Sequence, residues 1–160
     1  MNTGKLTVTT PSDREIVVTR VLNAPKKMVF QCLTTPKLLQ RWMLGPPGWT
    51  MPVCEFEAKA GGMFRYVWRN ADGVDMGMSG TIVEFSPYDR IVHTETFDAD
   101  TSGGRTEVTS DFIEANGQTT LAMTIVYGSK EARDGAMASG MTGGMEMGYE
   151  RLDALLGELA

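Results

Sequence analysis

His93 is the one imidazole in the chain, with Glu95 two residues on and Glu84 on the preceding stretch. To act as a general base it needs a carboxylate within hydrogen-bond reach, and these two are the candidates. The plainer reading, a histidine near a strand surface with no role, is the one the residues alone favour. Cys32, Cys54 and His93 are scattered and lack ligand spacing, so they make a poor metal set. The thiols are expected to be reduced and buried in a cytoplasmic protein, with their pairing left open. No phosphate loop, nucleotide motif or serine elbow occurs. No catalytic residue, metal or cofactor is assigned. The aromatics say more. Phe56, Phe64, Tyr66 and Trp68 alternate along neighbouring strands and would form a contiguous wall, or ordinary core. Trp42 and Trp49 flank a stiff Gly45-Pro46-Pro47-Gly48 loop. Arg65 and Arg69 alternate with the wall and should face solvent; one turned inward could hold a ligand carboxylate or phenolate.

The chain of 160 residues has room for one domain with a substantial core. A net charge of −5 argues against a nucleic-acid or anionic-membrane surface, which needs clustered Lys and Arg. Met1 to Asp13 is polar and Thr-rich, read as a flexible lead-in with neither signal peptide nor membrane span. Residues 14–160 are read as a single domain. Twelve methionines point to a soft interior.

The elements follow from periodicity and punctuation. Glu15 to Asn23 alternates as a first strand. Ala24-Pro25 and Thr35-Pro36 open two short helices, the first to about Thr34 with Val29, Phe30 and Leu33 buried, the second through Leu39 to Trp42. The Gly- and Pro-rich run Leu44 to Pro52 reads as a loop. Strands follow from Val53 and Phe64 onward, then at Met76–Phe85 and Arg90–Phe97. They turn at Gly61-Gly62, Asn70–Gly73 and Ser86–Asp89. Asp98 to Gly104 reads as a mobile loop. Asn116-Gly117 predicts a two-residue type I′ turn. That register sets Phe112 opposite Leu121, Ser110 opposite Met123, Val108 opposite Ile125 and Thr106 opposite Tyr127. One face of the hairpin is apolar and the other largely polar, as in a sheet covered on one side.

The cover is the last segment. From a Ser129 N-cap, Lys130 to Leu159 reads as one helix of about 30 residues, roughly 45 Å long. Met137, Met141, Met145, Gly148, Leu152, Leu155, Leu156 and Leu159 share its apolar face, and Glu146, Glu150 and Asp153 the other. The leucine half should pack tightly. The half rich in methionine and glycine suits either an irregular core or a surface that accommodates variable shapes. Gly140, Gly144 and Gly148 should mark close approach of helix to sheet. The sum is an α+β fold: a curved antiparallel sheet of about seven strands around a long C-terminal helix, with two short helices after strand one.

Several motifs then carry a resemblance. They are Val21–Pro25 leading into Val29-Phe30, Thr35-Pro36 with Arg41-Trp42, Gly45-Pro46 and Gly61–Tyr66. Gly80, Pro87–Val92, Ser139–Met141 and the leucines from Leu152 complete the set. From about Arg14 to its end the chain resembles the SRPBCC (START/pollen-allergen-like) superfamily, in particular the bacterial single-domain branch named after the activator of the heat-shock chaperone ATPase. The resemblance implies a helix-grip fold with a deep apolar cavity, and members that bind lipids, polyketides, steroids or phenolics. It departs from the family where Met43-Leu44 separates the tryptophan from Gly45-Pro46. The leading expectation is a non-enzymatic binder of a small hydrophobic molecule, monomeric or homodimeric. Trp42, Phe56, Phe64, Tyr66, Trp68, Met123, Met137, Met141 and Met145 are its expected ligand contacts. A cyclase or hydratase would need His93, Glu95 or Asp111 to converge inside the cavity. A chaperone-interaction module ranks third, because the chain has no room for the additional N-terminal domain of the eukaryotic activators.

Overall fold

Asn116 and Gly117 both take positive φ, 55° and 76°, so the hairpin closes through the expected turn. In the computed structural model, which describes residues 4–100 and 104–160, this hairpin joins β7 (Thr106–Ala115) to β8 (Gln118–Val126). Phe112 pairs with Leu121, Ser110 with Met123 and Val108 with Ile125, as the turn dictates. Before the hairpin come β1 (Thr7–Thr9), β2 (Glu15–Leu22), α1 (Lys26–Thr34), α2 (Pro36–Trp42), β3 (Thr50–Phe56), β4 (Met63–Arg69), β5 (Asp75–Ser86) and β6 (Arg90–Phe97). After it come α3 (Lys130–Ala138) and α4 (Met141–Leu159). All strands join one antiparallel eight-stranded sheet in the order β1-β2-β8-β7-β6-β5-β4-β3. The helices cover its apolar face, which is the helix-grip arrangement.

Several expectations change. Thr7–Thr9 pairs with Val17–Thr19, so part of the lead-in is an edge strand. β3 begins at Thr50 and carries Pro52, tolerated because β3 is the opposite edge and proline there forfeits no ladder bond. Thr35 occupies the N-cap before Pro36 but its side chain makes no capping bond. Cys32, rather than Leu33, is fully buried in α1. The expected loop Asp98–Gly104 lies partly, at 101–103, outside the described residues.

The largest change is in the final helix, which is two helices. Ser129 caps α3 as expected, its Oγ accepting from the Ala132 N–H. At the other end Ser139 turns both its N–H and its Oγ onto the Ala136 carbonyl, and Gly140 follows at φ +81°. That left-handed conformation suits glycine and ends α3. α4 then starts afresh, with its own axial phase. Its leucine half is the floor of the core: Leu152, Leu155 and Leu156 are at most 2% exposed, packed with Ile16, Val18, Leu22 and Leu39. Leu159 at the end is exposed.

Asp153 is not on a purely solvated face. Arg20, which shares the inward side of β2 with Ile16, Val18 and Leu22, is 1% exposed and donates to Asp153 at 2.6 Å. Its other terminal nitrogen donates to the Val21 carbonyl at 2.7 Å, and its Nε has no partner. Asp153 stands at the flank of the leucine stripe, which lets a long guanidinium side chain reach it from the sheet.

Candidate functional site

Period-two alternation puts Tyr66 and Trp68 of β4, and Ile91, His93, Glu95 and Phe97 of β6, on the inner face of the sheet. Val108 and Ser110 of β7 lie cross-strand from His93 and Ile91, and Met123 and Ile125 of β8 continue the surface. Opposite stand Met141, Met145 and Tyr149 of α4. Between them lies a cavity of about 640 Å³, partly open, lined by all of these and closed at one end by Trp42, Met43 and Pro46. Its polar wall is small beside its apolar one. A second hollow, lined by Ser12, Asp13, Arg14 and Lys130, is an open depression at the surface.

The glycines explain how the end is closed. A Cβ on Gly148 would stand 3.4 Å from the Trp42 carbonyl, and one on Gly144 3.7 Å from Pro46. The small residues therefore bring α4 against the chain leaving α2, not against the sheet. Trp42 stacks on Tyr149 with centroids 5.8 Å apart and donates its indole N–H to the Cys32 carbonyl at 2.9 Å. Trp68 donates to the Met43 carbonyl at 2.8 Å, tying β4 to the same loop. Both indoles thus have fixed orientations, with their rings toward the cavity.

Of the expected contacts, Trp42, Phe56, Tyr66, Trp68, Met123, Met141 and Met145 lie on the cavity wall. Phe64 does not. It is 3% exposed and packs behind the wall, 4.8 Å from the Tyr66 ring and 5.3 Å from His93. Beneath it Gly80 is obligatory, since a Cβ there would overlap the Phe64 ring and the Thr94 carbonyl. Met137 is 38% exposed and off the wall. The break at Gly140 shifts the phase of α3, and Ala136 takes the inward position. Arg65 and Arg69 face outward, paired with Asp98 and Asp75.

His93 is in the cavity wall rather than idle at a surface. Its Nε2 lies 2.9 Å from Glu95 Oε2, and both side chains are mostly buried. Glu84 is exposed beyond a bulge in β5 and accepts from Ser86, while Asp111 pairs with Arg90 outside. The residue reading missed the inward turn of His93 and Glu95. The available signal was parity, because both share the face of Ile91 and Phe97.

The tyrosines add donors. Burial, with smaller contributions from Cys54 and Glu95, holds the Tyr66 phenol far above its ordinary range. Burial pushes Tyr127 up to about 12, with Glu95 adding to it. Burial also raises Tyr149 strongly. All three therefore stay protonated near neutral pH. Tyr127 and Tyr149 donate only to thioethers, at 3.6 Å to Met141 Sδ and 2.9 Å to Met123 Sδ. Sulfur is a weak acceptor, so these hydroxyls are readily redirected. Both cysteines are free, and burial raises each thiol to about 11. Among the described residues no group of His, Cys, Asp and Glu is placed to hold a metal. Among the described residues, no helix is long and apolar enough to cross a membrane.

Comparison with known proteins agrees with this architecture. The crystal structure of a protein from Rhodobacter sphaeroides is 34% identical and superposes with a TM-score of 0.91, covering 96% of this chain and 99% of that one. A solution structure from Staphylococcus epidermidis is 24% identical, with a TM-score of 0.83 and 96% and 95% of the two chains covered. An AHSA1-like protein from Aeromonas hydrophila shares the fold at 18% identity and a TM-score of 0.73, over 88% and 93% of the chains. No curated protein matches. The profile of the family described as Activator of Hsp90 ATPase homolog 1-like protein matches residues 23–157. With a match over most of its length and the helix-grip fold around one cavity, the chain belongs to the Activator of Hsp90 ATPase homolog 1-like family of the SRPBCC superfamily.

Proposed function

We propose that this protein binds a small, mostly apolar molecule in the cavity between sheet and α4. The observation that carries the reading is the cavity: about 640 Å³, walled largely by aromatic and methionine side chains with few polar groups. Sites for small molecules have this size and composition. The methionines of α4 can re-pack around ligands of differing shape, and the fixed Trp42 and Trp68 rings supply rigid contact area. The test is a thermal-shift screen of fatty acids, flavonoid-like phenolics, sterols and polyketide aromatics. A ligand that binds only the folded protein at a hundred times its Kd adds about 2.7 kcal/mol. In a domain of this size that raises the Tm by roughly 5–10 °C. Met141→Trp, which puts an indole into the cavity and narrows it, should reduce the shift. No shift from any of these classes, and none from apolar amines of the same size, overturns the reading. A shift that Met141→Trp leaves unchanged places the ligand elsewhere.

A second reading, turnover of the bound molecule, is favoured by the inward His93–Glu95 pair. Glu95 orients the imidazole, and the protonated Tyr66 and Tyr127 could supply a proton or stabilise an oxyanion. Mass spectrometry of a cavity ligand after incubation with the protein should then reveal a product, lost in His93→Asn. A ligand recovered unchanged overturns it.

A further inference from the structure

Resting on the cavity reading above, we infer that the ligand is a hydrophobic amine, bound with its ammonium against Glu95, and that the site rejects carboxylates. The inference begins from the charges in the wall. Among the described residues lining the cavity there is no lysine or arginine, and Glu95 is the one carboxylate. His93 is the sole imidazole, and its Nε2 is already engaged by Glu95 at 2.9 Å. Of the arginines beside the wall, Arg65 pairs with Asp98 on the outer face, Arg151 donates to the Gly45 carbonyl at 2.6 Å, and Arg105, which precedes Thr106, is exposed and is not among the lining residues.

A carboxylate ligand entering this cavity would lose its hydration and meet Glu95 with no cation to offset either effect. An ammonium has the opposite experience. It can donate charge-assisted hydrogen bonds to the Glu95 oxygens left over by His93. It also finds π faces close by. Tyr66 and Tyr127 both lie within the electrostatic reach of Glu95, and Trp68 packs edge-on to Tyr66 at 5.8 Å. A carboxylate beside aromatic rings in a partly enclosed space is the chemistry that recognises organic cations. Thr106 lies cross-strand from Glu95 and its hydroxyl is the neighbouring polar group on that wall. The remaining surface is apolar and takes the hydrophobic body.

The test uses three probes that share one body: pyrenylmethylamine, pyrenylmethanol and pyrenecarboxylic acid. Their binding to the full chain is titrated by fluorescence near neutral pH, where the amine is a cation and the acid an anion. The protein is acidic overall, so each titration is repeated at about 0.5 M salt, which screens surface attraction but not a buried pair. The amine is expected to bind at least about tenfold more tightly than the acid at both salt concentrations, a ratio set by one well-placed charge contact. In Glu95→Gln the ratio of amine to alcohol affinity should fall toward one. Equal or tighter binding of the acid by the native protein overturns the inference without reference to any variant. So does an amine preference that disappears in salt or persists in Glu95→Gln. Binding of the alcohol with no amine preference overturns the charge selectivity alone. Failure of all three probes to bind overturns the cavity reading and this inference with it.

Discussion

Arg20 is the residue whose placement is hardest to account for by hydrophobic burial alone. A guanidinium at 1% exposure with one nitrogen unpartnered loses much of its hydration, and the Asp153 contact at 2.6 Å offsets part of that. Removing one member of such a pair leaves the other charge uncompensated, which costs about 3–5 kcal/mol. Asp153→Ala should therefore lower stability by that amount, read from urea unfolding. Arg20→Met combined with Asp153→Leu should recover most of the loss, because a well-packed apolar pair often replaces a buried ion pair at no penalty. A double variant as unstable as Asp153→Ala would show that Arg20 contributes something other than its charge. The residue scale is also where the sequence was least legible. Arg20 alternates with Val18 and Leu22 and so shares their face, yet arginine in that position is read by habit as solvated. His93 and Glu95 were lost for the same reason, since polarity outweighed parity.

At the scale of elements, α4 is two structures in one. Its C-terminal half packs solidly, whereas its N-terminal half borders a cavity. Leu152→Ala and Leu155→Ala should each cost about 2–5 kcal/mol, because each leaves a void in close-packed surroundings. Met141→Ala should cost less, since the space beside it is already open. Equal losses at all three positions would mean that the methionine half is core after all. The order of strands and helices was legible because turn and cap residues punctuate it: Asn116-Gly117, Thr35-Pro36 and Ser129 each sit where the structure changes direction. The break at Gly140 was not. A helical wheel assumes one continuous phase, and a glycine in the left-handed region resets it without altering the apolar count. Met137 was misplaced in consequence, and Ala136 overlooked.

For the whole molecule, the buried Cys32 and half-buried Cys54 thiols contribute to an alkaline limit that the buried tyrosines share. Folding raises Cys32 and Cys54 from an ordinary value near 9 to about 11, so the folded chain keeps protons that the unfolded chain has released. This contribution is fully present below about pH 9 and is lost as pH rises through about 11. The urea midpoint should accordingly fall between those values, with the buried tyrosines adding to the fall above about pH 10, and the combined Cys32→Val and Cys54→Val changes should remove the part that begins near pH 9. A native midpoint that stays level across the range contradicts the buried placement of the thiols. The fold class was legible at this scale because strand alternation, hairpin register and a terminal amphipathic segment all point to one sheet under one helix. The pairing of the first long strand was not, since nothing local in Glu15–Leu22 names its partner. That pairing bears on how the chain is made. Val18 lies beside Met123, and Arg20 waits for Asp153, so the ribosome releases a β-branched strand long before β8 and α4 exist. The apolar face of β2 must remain unpaired through most of synthesis. Closure of the sheet is then a late, long-range event, slower than the formation of the local hairpins that precede it.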